Sequence, residues 1–108
     1  MSASIPSTDR YVQVVTRDLL FRSKVEGVLR QLGWEPIRGV AQVAVIELGD
    51  DAALERVRTL SASGATVIAF GPHVEAARLR AAREAGAFAV PNSRLEDTLR
   101  EVLGRIDG

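Results

Sequence analysis

The residues able to do chemistry gather at a few polar breaks between apolar runs. Thr16-Arg17-Asp18 follows one run, Glu47 and then Gly49-Asp50-Asp51 close a second, Gly71 and His73 follow a third, and Asn92-Ser93-Arg94 follow a fourth. An imidazole titrates near neutrality, which suits His73 to sensing pH or contacting a ligand; its other reading is a solvated or hydrogen-bonded surface group. Arg17, Ser93 and Arg94, together with His73, form a candidate site for a small anion or other ligand, since helix starts offer exposed N–H groups beside the cations. For Arg17 the competing reading is an internal ion pair with Glu47 or Asp18. Asp50 and Asp51 have the look of a metal pair, yet they stand directly before a helix, where aspartate caps the first turn and matches its dipole.

Other chemistries are excluded by what the chain lacks. It has no cysteine and a single histidine, so no disulfide framework, thiolate nucleophile, zinc knuckle, iron–sulfur cluster or histidine-rich metal site is expected. Neither a Gly-rich phosphate loop nor a Ser/His/Asp triad can be assembled, and with no convincing acid, base and nucleophile the chain does not read as an enzyme. No metal or cofactor is implied. Fourteen basic residues balance fourteen acidic ones, leaving no field to hold a polyanion or a membrane surface. Arg78, Arg80 and Arg83 share their segment with Glu75 and Glu84 and have no interleaved aromatic for stacking on bases, so general nucleic-acid binding is not expected. The opening MSASIPSTDR lacks the regions of a signal peptide, which points to a cytoplasmic protein.

The elements that must position these residues follow from the apolar pattern. At 108 residues, with 46% hydrophobic and 26% charged, the chain fits one globular domain. Residues 1–9 are small, polar and Pro-containing and read as a flexible tail, leaving 10–108 as the domain. Tyr11 to Val15, Gln42 to Leu48, Ala65 to Phe70 and Ala87 to Val90 are continuous apolar runs, as strands buried on both faces require. Between them, helical stripes are read at Leu20/Val25/Val28/Leu29/Leu32, at Leu54/Val57/Leu60, at Val74/Ala77/Ala81/Ala85 and at Leu95/Leu99/Val102/Leu103/Ile106. Gly33, Gly64 and Gly86 supply left-handed stops, Pro72 the first position of the third helix, and Ser93 with Glu96 a capping box for the last. Alternating strands and helices imply a parallel sheet covered on both faces, a three-layer α/β sandwich. One interval breaks the rhythm: residues 34–41 have room for a stub of strand but not for a following helix, because a parallel crossover normally takes about a dozen residues.

This order of elements, with Glu47 near the end of a long strand and Ala85-Gly86-Ala87 leading into the last one, resembles the receiver domain of bacterial two-component response regulators, a flavodoxin-like fold. Thr16 to Lys24 and Gly71 to Val74 are similar to segments of short, stand-alone receiver-like proteins of Deinococcus and Thermus type bacteria. The resemblance implies a chemistry in which two acids after the first strand hold Mg²⁺, an aspartate on the third strand accepts a phosphoryl group, and a Ser or Thr and a lysine later in the chain contact it. The cations there offset charge growing on the transferred group. Every such position is altered, and a shift of the alignment by one residue restores at most one of them, with Asp18 as a metal-facing acid or Asp50 as a substitute acceptor. Thr16-Arg17 replace the acid pair, Gly71 falls near the Ser/Thr position, and Pro91 near the lysine; the only lysine in the chain is Lys24. At the acceptor position Glu47 is longer than aspartate by one methylene, displacing the reacting oxygen by about 1.5 Å.

The expectation is therefore a pseudo-receiver: a phosphorylation-independent signalling and regulatory module that binds a protein partner. The alternative is a sensor of a small anion or nucleotide bound at the carboxyl ends of the strands. Shortening the segment after the first helix should bare the sheet edge, so a homodimer or partner contact is expected on that side, with Trp34 and Ile37 among its residues. The other reading of Trp34 is a cover for the apolar end of the first helix.

Overall fold

The computed structural model describes residues 10–107, and the expected tail at 1–9 lies outside them. The chain runs β1 (Tyr11–Val15), α1 (Leu19–Gln31), β2 (Glu35–Ile37), β3 (Val43–Glu47), α2 (Asp51–Ala62), β4 (Thr66–Gly71), α3 (Ala76–Glu84), β5 (Phe88–Pro91), a 3₁₀ turn over Asn92–Arg94, and α4 (Leu95–Asp107). The strands form one all-parallel sheet in the order β2-β1-β3-β4-β5. The four expected strands are present, each trimmed or shifted by a residue or so at its ends except the first.

Two apolar layers sandwich the sheet. On one face Val12, Val14, Val43, Val45, Ile68 and Phe70 meet α1 and α4. On the other, Ala44, Ile46, Val67 and Ala69 meet α2 and α3, whose buried contacts are Leu54, Val57, Leu79 and Ala82. The side-chain alternation of a strand explains why every second residue serves each layer. Helix ends follow the glycine pattern: Gly33 has φ 83°, a conformation that disfavours any residue with a Cβ. That turn lets the Trp34 N–H donate back to the Leu29 carbonyl at 2.9 Å, closing α1.

The interval 34–41 behaves as its length demands. β2 is three residues long and pairs in parallel with Tyr11, Val12 and Gln13, and no helix follows it. The register supplies the reason. Ile37 ends β2 opposite Gln13, whereas Val43 opens β3 opposite Val12, so the connection has to cross only one strand at nearly constant height. That is two strand spacings, about 9.6 Å.

Several local expectations are corrected. Pro72 does not open α3: its carbonyl accepts from the Glu75 N–H at 2.9 Å, closing a turn that delays the helix to Ala76. The later start rotates the buried stripe to Leu79 and Ala82 and leaves Val74 exposed. Ser93 caps nothing, because the 3₁₀ turn containing it runs straight into α4. Leu20 faces solvent at 83% exposure, since the Asp18 cap sets the phase of α1 so that Val25, Val28 and Leu29 point inward. Ile106 is likewise exposed at the end of the α4 stripe.

Candidate functional site

The carboxyl ends of β1 and β3 lie side by side. Val15 is paired with Ile46, which brings the next residues, Thr16 and Glu47, into contact. The Thr16 hydroxyl donates to Glu47 Oε1 at 2.6 Å and accepts the Asp18 N–H at 3.1 Å. Asp18 then turns into α1, where Oδ1 accepts from the N–H groups of Leu20 (2.9 Å) and Phe21 (3.1 Å). Asp50 does the same for α2 through Ala53, at 2.9 Å. The cap reading of both aspartates is the observed one. Asp51, in the first turn of α2, pairs with Arg78 at 3.2 Å.

Arg22 was not singled out in the sequence. It extends from α1 back under the strand end, donating to the Thr16 carbonyl at 3.0 Å and the Val14 carbonyl at 3.4 Å, with Glu26 3.7 Å away. Its position one turn after the capping aspartate was the available signal, because that spacing aims a side chain back toward the start of the helix. Arg17, in contrast, is 95% exposed and approaches Asp50 only to 3.9 Å. The expected ion pair from Arg17 to Glu47 or Asp18 is not formed: Glu47 Oε1 is taken by Thr16 and Asp18 by the helix terminus. Such an exposed pair contributes little to stability.

Two cavities border these elements. The larger, about 640 Å³, lies over β1 on the face that carries α2 and α3; Gln13, Thr16, Arg17, Arg38, Glu47 and Arg56 line it. The smaller, about 120 Å³, lies between α1 and α4 and is bordered by Ser93 and Asn92. The four anion-site candidates are thus divided. Arg17 belongs to the first cavity and Ser93 to the second, while His73, on the turn after β4, and Arg94, in the 3₁₀ turn, border neither. The interface candidates are divided too. Trp34 is 3% exposed and packs in the core with Val25, Val28 and Leu29, so it covers the inner side of α1 and is not a surface contact. Ile37 is half-buried on β2.

No family model matches the chain, and no curated protein matches it. Solved structures do. The BeF3-activated receiver domain of DrrB superposes with a TM-score of 0.72 at 21% identity, covering 88% of this chain and 94% of that one. The chain has the receiver-domain fold. A response regulator protein from Burkholderia multivorans has a TM-score of 0.67 at 15% identity, covering 94% of this chain and 97% of that one. NtrX from Brucella abortus gives 0.71 at 16% identity over 88% of this chain, which spans only 26% of NtrX. In this receiver fold the ends of β1 and β3 do not suit the divalent cation that the fold implies. Thr16 and Arg17 offer no carboxylate, Asp18 gives its Oδ1 to two α1 amides, and among the described residues no three acidic or imidazole groups converge. Among the described residues, no helix is long and apolar enough to cross a membrane.

Proposed function

We propose that this chain is a phosphorylation-independent signalling module, a receiver-like scaffold that regulates by binding a protein partner rather than by accepting a phosphoryl group. The observation that carries the reading is the Thr16–Glu47 hydrogen bond, which stands where a receiver would place its acceptor and metal-binding acids. A carboxylate engaged by a neighbouring hydroxyl, with no facing lysine and with Asp18 and Asp50 each giving an oxygen to a helix terminus, has little to offset the charge that grows during phosphoryl transfer. Lys24, the only lysine, lies on α1 on the rim of the smaller cavity and not beside Glu47. The similarity of the fold to response-regulator receivers supports the signalling class, and the charge balance supports a protein partner over a nucleic acid.

The test is incubation of the full chain with acetyl phosphate and Mg²⁺, followed by intact-mass measurement at neutral pH. An unchanged mass is expected. A phosphoryl adduct mapped to Glu47, Asp18 or Asp50 overturns the proposal.

A further inference from the structure

The cleft left by the absent helix is polar where a vacated helix site should be apolar. β1 is otherwise built of aliphatic residues along its buried stretch, yet its central residue is Gln13, 8% exposed, with Oε1 buried and without a hydrogen-bond partner. A buried carboxamide oxygen left unpaired is costly and calls for an explanation. By register Gln13 shares its face with Ala44 and Ile37, the face that α2 covers over β3 and that no helix covers over β1. The open cleft of about 640 Å³ falls inside the size range of small-molecule sites.

Its walls carry Arg17, Arg22, Arg38 and Arg56 against Asp18, Glu47 and Asp50, and of the acids Asp18 and Asp50 already accept from helix amides. Arg38 enters from the segment after β2 and Arg56 from α2, so the two stand on opposite sides of β1 and border the same cleft. Neither guanidinium makes a hydrogen bond or ion pair among the described residues. Ala52 and Ala53, one turn before Arg56, keep the α2 wall low. Paired guanidinium groups match a phosphate through parallel N–H donors. A glutamine carboxamide presents a donor and an acceptor side by side, the pair that reads the N6/N7 edge of adenine. Glu47 borders the cleft as well, and its Oε2 is open to accept from a ribose hydroxyl while Oε1 holds Thr16.

We propose that this cleft is a binding site for an adenine nucleotide, with the phosphate held between Arg38 and Arg56 and the base read by Gln13. The site needs no phosphoryl transfer and stands whether or not the module ever accepts a phosphoryl group.

The experiment is calorimetric titration of the full chain with AMP, UMP, ribose 5-phosphate and inorganic phosphate in parallel, at one ionic strength. Saturable AMP binding is expected, at least about tenfold tighter than UMP or either phosphate. Arg38→Gln with Arg56→Gln should weaken AMP by about tenfold or more, and Gln13→Leu should abolish the preference for AMP over UMP. Both sets alter exposed or unpaired groups, and circular dichroism checks that they fold; if Gln13→Leu does not, Gln13→Met takes its place. No saturable AMP binding, AMP no tighter than inorganic phosphate or UMP, or an AMP affinity indifferent to the arginine changes would each overturn the proposal.

Discussion

Thr16 Oγ1 lies 2.6 Å from Glu47 Oε1, a hydroxyl–carboxylate bond that ties the carboxyl end of β1 to that of β3. The same oxygen accepts the Asp18 N–H, so one side chain links a strand end, its neighbour and the start of α1. Thr16→Val keeps the shape and removes both roles. It is expected to lower stability by about 1–2 kcal/mol, the range for a partly buried bond to a charged group, read as a lower urea midpoint with an unchanged slope. Thr16→Ser keeps the hydroxyl and should retain most of the parent's stability; a Val variant as stable as the parent would show the bond to be incidental.

Glu47→Asp restores the acceptor's residue type, but not the charges around it. The shorter side chain withdraws from Thr16, and Arg17 still stands where an acid would be needed. Treated with acetyl phosphate and Mg²⁺, this variant is expected to keep its mass. A stable adduct on residue 47 would show that one methylene, rather than the missing acids and lysine, is what silences the site.

Asp18 and Asp50 cap helices in different degrees, the first through two amides and the second through one. Each change to alanine should cost about 1 kcal/mol, with Asp18→Ala the larger. The Arg17–Asp50 approach of 3.9 Å adds little to the second, so Arg17→Ala alone should leave the urea midpoint nearly unmoved.

Trp34 is a core residue whose indole Nε1 has no partner. Trp34→Ala should destabilise by about 3–5 kcal/mol through the cavity it leaves. Trp34→Phe should cost clearly less, since it fills much of that space and removes the unpaired donor. Equal losses for the two variants would mean that the indole N–H is satisfied in solution.

Much of this arrangement was legible in the residues. Parallel strands buried on both faces must be continuous apolar runs, and Tyr11 to Val15 and Ala65 to Phe70 read that way. Gly33 marks a helix end through its backbone freedom, and the brevity of 34–41 by itself rules out a crossover helix. The functional surface was less legible, because it depends on register and on what is missing. Gln13 looks like one polar letter in an aliphatic strand until the pairing with Ala44 places it on the uncovered face. Arg38 and Arg56 are distant in sequence and border one cleft only because the segment after β2 and helix α2 lie on either side of β1. His73 and Arg94 share with Arg17 the polar ends of strands, yet β4 and β5 carry them away from the cleft over β1. Trp34 stayed open between two readings because a residue after a helix-closing glycine can turn either way, and only its 3% exposure decides.

The last prediction concerns association at the β2 edge. A bare edge invites a second strand, and the shortened β2 read from the sequence points to a homodimer or partner contact there, with Trp34 and Ile37 among its residues. The backbone of β2 argues otherwise. The Glu35 N–H is spent on the Arg10 carbonyl at 2.8 Å, so Glu35 and Ile37 direct their backbone groups at β1 and Pro36 directs its own outward. Proline has no N–H, so the one residue of this three-residue strand that faces the open edge offers no donor. Trp34, the other expected contact, is withdrawn into the core. The chain is therefore expected to be monomeric in light scattering across micromolar concentrations, and Ile37→Asp should not change its mass. Pro36→Val restores the outward donor and should, if anything, promote pairing. A parent protein that dimerises, with Ile37→Asp reverting it to monomer, would show that the half-buried side chain rather than the backbone edge makes the contact.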